Sequence, residues 1–265
     1  MTGHIRLHVT GDFQLEFSPM IQNVKTARLL KFLGIHRDHG YTFNLPSGHS
    51  CPFASDCLSK ADRVTGKITD GKDTLFRCFS ATSEARSTRA RDQGWRNFEK
   101  LRRLDYEQMV QLINESLPEN AEIVRPHVRG DFFNHRYYEA WLQVARLRPN
   151  VLFYIYTKSL PYVIANLDKT PENFIVNASR GGRYDDLIDE YNLKVAEVVY
   201  SPEEAEAKGL PIDHDETHAI TKTGSFALLL HGTQPAGSDA SKALSKMNRE
   251  GVEFAYSRKR EVVLV

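Results

Sequence analysis

A chain of 265 residues, 41% hydrophobic and 26% charged, can bury a sizeable core as one large domain and is neither low-complexity nor fibrous. Its formal charge of +1 gives no global field, so an acidic partner would have to be met by a local patch. No run of eighteen apolar residues and no secretory leader pattern can be read, so the expectation is a protein without a membrane span, working in a reducing cytoplasm where thiols stay free.

Residues 1–40 read as an irregular N-terminal extension and 41–265 as an α/β domain. Within the extension, residues 5–9 alternate as a short strand does, and the stretch 25–33 predicts a helix ending at Gly34. Tyr41 to Leu45 predicts a strand that runs into Pro46-Ser47-Gly48-His49-Ser50-Cys51-Pro52, which can continue neither a helix nor a central strand. All three cysteines lie in the segment that follows, spaced Cys51-x5-Cys57-x20-Cys78. An odd count argues against a disulfide framework, and three thiolates are the protein's share of both a Cys3His zinc site and a [4Fe–4S] cluster with one unusual ligand. The plainer alternative is that they are small buried apolar residues. Between 77 and 103, Arg77, Arg86, Arg89, Arg91, Arg96, Lys100, Arg102 and Arg103 face only Glu84, Asp92 and Glu99. That reads as a solvated helical face ahead of a weak, nonspecific nucleic-acid patch.

From residue 105 a regular alternation sets in. Asp105 with Gln108 has the form of a capping box, and Tyr106, Met109, Val110, Ile113 and Leu117 fall on one helical face before Pro118. A strand over 122–127 leads to Arg129-Gly130-Asp131 and a helix burying Tyr138, Trp141, Leu142 and Ala145, with Asp131 or Asn134 as its cap. Apolar strands over 151–156, 174–176, 194–200 and 226–230 follow, each running into polar residues and most into a short helix. Counting the strand at 42–45, about six short apolar strands alternate with helices, which predicts a partial (βα)6-type barrel of mainly parallel strands, with an open doubly wound sheet as the alternative.

In parallel α/β architectures the C-terminal strand ends form the active face. Those ends carry the cysteine loop, His127 and Asp131, Lys158, Asn177 with Ser179 and Arg180, and His231 with Gln234. Each has a structural alternative as a cap, core or surface residue; their joint placement is what makes them candidate cofactor-binding residues beside Cys51, Cys57 and Cys78. Asp213-His214-Asp215-Glu216-x-His218 has a metal-site composition but no ligand spacing, and is read as a polar loop.

The strings Asn44-Leu45-Pro46-Ser47-Gly48-His49-Ser50-Cys51-Pro52, His127-Val128-Arg129-Gly130-Asp131-Phe132-Phe133, Tyr154-Ile155-Tyr156-Thr157-Lys158-Ser159-Leu160 and Leu229-Leu230-His231-Gly232-Thr233-Gln234-Pro235 resemble the bacteriophage gene product 88 family over roughly residues 41–256. The chain also looks like a distant relative of the radical S-adenosylmethionine enzymes, whose partial barrel carries a three-cysteine [4Fe–4S] cluster after its first strand. Those enzymes have Cys-x3-Cys-x2-Cys, where this chain has x5 and x20. The resemblance implies a [4Fe–4S] cluster on Cys51, Cys57 and Cys78, S-adenosylmethionine as a candidate second ligand, a small-molecule substrate or redox partner, and the host cytoplasm as the place of work. Three functions follow as expectations: an iron–sulfur redox or radical enzyme, a non-catalytic cluster or electron carrier, and a zinc-stabilised nucleic-acid-binding protein using 77–103.

Overall fold

The computed structural model describes residues 13–253, so the strand expected at 5–9 lies outside the described residues. One seven-stranded sheet is built from β1 (Phe17–Pro19), β2 (Gly40–Phe43), β5 (Ile123–Pro126), β6 (Leu152–Thr157), β7 (Phe174–Ser179), β8 (Val195–Val199) and β9 (Phe226–Leu229), side by side in that order. β3 (Ser59–Ala61) and β4 (Ile68–Asp70) form a separate hairpin inside the cysteine segment. Within the seven-stranded sheet only β1 runs antiparallel to its neighbour; β2 and β5 to β9 are parallel. Because spatial order follows chain order throughout, every right-handed crossover steps the same way and its helix lands on the same face. The doubly wound alternative needs an order that reverses at a switch point, and this sheet has none. β1 and β9 are its edges and do not pair with each other, so the sheet is open.

The strands read as unbroken apolar runs because both faces are covered. Along β6, Phe153 and Ile155 join the cluster formed with α4 (Tyr106–Ser116) and α5 (His135–Leu147), while Tyr154 and Tyr156 belong to the cluster on the opposite face. α4 starts at the capping box that its sequence announces: Gln108 N donates to Asp105 Oδ1 at 2.9 Å and Asp105 N to Gln108 Oε1 at 3.2 Å. α5 is capped by Asn134, whose Oδ1 accepts from Tyr137 N at 2.8 Å; Asp131 is occupied elsewhere. Its buried stripe of Tyr137, Tyr138, Trp141 and Ala145 anchors this layer, each large side chain contributing about 1.5–3 kcal/mol of burial. α6 (Leu160–Ile164), α7 (Asp186–Glu190), α8 (Pro202–Ala207) and α9 (Asp239–Arg249) continue the covering layer toward β9.

The other face is covered by α1 (Val24–Leu33), which ends at Gly34 in the left-handed region, and by the segment preceding β9. Residues 17–33, assigned by the sequence to an extension, thus supply an edge strand and part of this core. The polar loop at 213–218 is drawn inside as well. Lys25 meets Asp213 at 2.5 Å, Arg125 pairs with Glu216, and Tyr154 donates to Glu216 Oε2 at 2.6 Å. Among the described residues no helix is long and apolar enough to cross a membrane.

Candidate functional site

The cysteine loop leaves β2 through two tight turns. Gly48 has φ +69°, and a Cβ there would stand 2.4 Å from the Ser59 carbonyl, so the turn that delivers Cys51 accepts only glycine. Ser47 donates through both N and Oγ to Glu84 Oε1 at 2.9 Å, tying this turn to α2 (Phe79–Arg86). The Cys51 sulfur accepts from Gly48 N at 3.2 Å. Cys57 precedes the β3–β4 hairpin, whose Ser59 Oγ accepts from Cys78 N at 3.1 Å and so returns the chain beside Cys57. Cys78 is the N-cap of α2, and its thiol makes no capping hydrogen bond, although the nearby Ala81 amide favours its thiolate.

The half-buried thiols of Cys57 and Cys78 lie close enough to affect each other's protonation. The Cys78 thiol stabilises the Cys57 thiolate, holding Cys57 down at about 7, and for the same reason Cys78 is pushed well above the usual thiol value. Burial, then the Asp131 charge, drives Cys51 up. Cys51 also acts electrostatically on both other cysteines. Three thiols separated by five and twenty residues are therefore brought within electrostatic reach of one another beyond the C-terminal end of β2.

Asp131 and Lys158 stand at the same place. Asp131 is buried and accepts from Phe132 N at 2.8 Å, Thr157 Oγ1 at 2.6 Å and Lys158 N at 2.9 Å; burial raises its carboxyl against those bonds. The Lys158 ammonium donates to Ser179 Oγ at 2.8 Å and to the Ser179 and Arg180 carbonyls at 3.1 and 2.6 Å, and its charge favours the Cys57 thiolate. Gly181 O accepts from Ser55 N and Asp56 N, pinning the cysteine loop to the end of β7.

The remaining candidates do not reach the thiols. His127 has φ +64° and turns its ring among Phe43, Phe132, Tyr137 and Trp141, in the aromatic layer under α5. Burial holds it neutral, down at about 3; the Arg129 backbone is close enough to oppose this, yet no group meets hydrogen-bond geometry with either ring nitrogen. Asn177 is internal, donating to the Ile155 and Ala219 carbonyls at 2.9 and 3.0 Å. The Arg180 side chain points to Asp189 at 3.1 Å and Glu197 at 3.3 Å; only its carbonyl serves Lys158. His231 lies 4.3 Å from Phe79, centroid to centroid, and burial lowers it to about 4. Gln234 clamps the strand of chain before Cys78, accepting from Arg77 N at 2.7 Å and donating to Arg77 O at 3.2 Å. Its role is to hold the cysteine segment.

The basic segment is largely consumed by internal pairing. Arg77 bonds Asp70, Arg91 is buried against the Arg63 and Glu84 carbonyls, Arg96 pairs with Glu16, and Arg102 and Arg103 share Glu99.

Sequence reading took Asp213 and Glu216 as part of a polar loop and missed their partners Lys25 and Arg125; Lys25 carried a signal, since it shares the apolar stripe of α1 with Leu29.

As ligands, three thiolates suit soft metals and iron–sulfur clusters, and an amide donor such as Gly48 N to the Cys51 sulfur is the kind of contact that tunes such centres. Among the described residues no three His, Cys, Asp or Glu side chains are gathered as ligands of a single ion. In a cubane each thiolate binds a different iron, so its sulfurs need not stand as close as the ligands of one ion.

The family model for gene product 88 matches residues 18–247, most of the chain and all seven strands of the sheet apart from the first residue of β1. The chain belongs to the bacteriophage gene product 88 family. No curated protein and no solved structure matches it. The family match spans the cysteine loop, Asp131, Lys158 and Gln234 together, so the whole site described above lies within the family's extent.

Proposed function

We propose that the chain is an iron–sulfur protein whose Cys51, Cys57 and Cys78 hold a [4Fe–4S] cluster at the mouth of a partial (βα)6 barrel, with a redox or radical reaction as its activity and S-adenosylmethionine as a candidate co-substrate. The observation that carries the proposal is that all three cysteines of the chain lie within electrostatic reach of one another beyond one strand end. An open sheet of six parallel strands in chain order is the scaffold that a partial barrel requires. A bound cluster supplies one-electron transfer. The chain's residues prepare for it. Cys57 is poised to lose its proton near neutrality, the Gly48 amide offsets charge on the Cys51 sulfur, and the Lys158 charge favours the Cys57 thiolate. Asp131 holds the backbone of Lys158 in place.

Iron and sulfide analysis of anaerobically prepared protein tests this. Wild type is expected to contain both and to be brown, and each of Cys51→Ala, Cys57→Ala and Cys78→Ala to lose most of the cluster. Wild-type iron and sulfide in all three variants, or zinc in place of iron in the native protein, defeats the proposal. Cleavage of S-adenosylmethionine by the reduced protein distinguishes an enzyme from a carrier.

A further inference from the structure

A groove of ≈ 850 Å³ runs between the β1–β2 edge, α2 and the segment after β9. Four arginines line it, Arg86, Arg89, Arg125 and Arg129, against one glutamate, Glu16, which is already paired with Arg96. Arg125 answers Glu216, and Arg129 stands 3.9 Å from Glu84. Arg86 and Arg89 are exposed, and among the described residues neither is ion-paired with a carboxylate; Arg86 only bonds the Thr233 hydroxyl. In a segment where the other arginines are neutralised by acids or buried against carbonyls, these two are left facing the groove. The uncompensated charge is therefore concentrated there.

Guanidinium groups are planar forks matched to phosphate, and a groove of this size suits a small organic ligand better than a lone ion. Phe17 and Phe79 line the same groove, giving aromatic surface of the kind on which nucleobases stack. Phe79 and Arg86 also converge on one short segment: a Cβ at Gly232 would lie 3.1 Å from Phe79 Cβ, and Arg86 bonds the next residue, Thr233. We infer that the groove binds a mononucleotide, its phosphates on Arg86 and Arg89 and its base against Phe79. The inference is independent of what the thiols hold.

Isothermal titration of the full chain with magnesium-free ADP tests it. ADP is expected to bind, adenosine to bind much more weakly, and affinity to fall as salt rises. The Arg86→Ala/Arg89→Ala double variant should lose at least about tenfold in affinity, with a flatter salt dependence. Both side chains are exposed, so its thermal melt should match wild type, and Arg103→Ala, whose partner is Glu99, should bind ADP as wild type does. No binding at millimolar ADP, or equal binding by the double variant, overturns the inference. So does a single-stranded oligonucleotide that binds tighter than ADP, which would make the groove a nucleic-acid surface.

Discussion

At the scale of single residues, the informative feature is the mutual effect of the Cys57 and Cys78 thiols on each other's protonation. Only the thiolate attacks an alkylating reagent, so reactivity follows each cysteine's protonation. In iron-free protein, alkylation of Cys57 by iodoacetamide should rise with pH and level off just above about 7, while Cys51 and Cys78, both raised, react more slowly at every neutral pH. The Cys78→Ala substitution removes the donor that holds Cys57 down, so burial then dominates and the Cys57 profile moves to higher pH. Mass spectrometry of the alkylated peptides reads both effects. A Cys57 profile unchanged in Cys78→Ala would show that the pair does not share its proton.

Among elements, the joint between β5, α5 and β6 passes through Asp131. The sequence suggested a ligand-facing acid or a helix cap; its three bonds instead tie the start of the α5 loop to the end of β6, just where Lys158 leaves the strand. Asp131→Ala would strand two amides and a hydroxyl in a buried place, each with a desolvation penalty of about 1–3 kcal/mol. Denaturant unfolding should show a loss of at least that of one such group, with Asp131→Asn less affected because one acceptor oxygen survives. Stability equal to wild type in Asp131→Ala would mean that the loop finds other partners. Gly130 makes the same joint tight: at φ +81°, a Cβ there would stand 2.5 Å from Ser50 Oγ, on the loop that carries Cys51.

Over the whole molecule, a buried ion pair locks the face opposite α4 and α5. Lys25 on α1 and Asp213 before β9 are both almost wholly buried and lie 188 positions apart in sequence, so their 2.5 Å contact fixes the first helix to the last strand's approach. Lys25→Met leaves an uncompensated buried carboxylate and is expected to cost about 3–5 kcal/mol. The Lys25→Met/Asp213→Leu pair should recover most of it, since replacing both charges by apolar groups avoids the desolvation penalty. Urea unfolding of the two variants decides the matter; a double variant no more stable than the single would show that the pair's hydrogen-bonded surroundings, not its charge, set the cost.

The sequence by itself determined the parallel α/β class and most of its elements. Those signals are local: the apolar strands β5 to β9, the Asp105–Gln108 box, Gly34 after α1 and the stripe of α5 are each written in a few neighbouring residues. It also gathered Cys51, Cys57, Cys78, Asp131 and Lys158 at one end of the sheet, because parallel strands joined by right-handed crossovers bring their C-terminal ends together. Only the tertiary structure decided which way side chains turn and whom they meet. His127 sits at a strand end yet faces the aromatic layer, since its left-handed backbone reverses the expected direction. The short strands of the β3–β4 hairpin, three residues each, carry too little pattern to be read. Pairings such as Lys25 with Asp213, Arg96 with Glu16 and Arg125 with Glu216 span the chain, and charge attraction has no sequence period. That long-range neutralisation leaves Arg86 and Arg89 as the exposed cations of the groove, a distinction among arginines that composition alone cannot make.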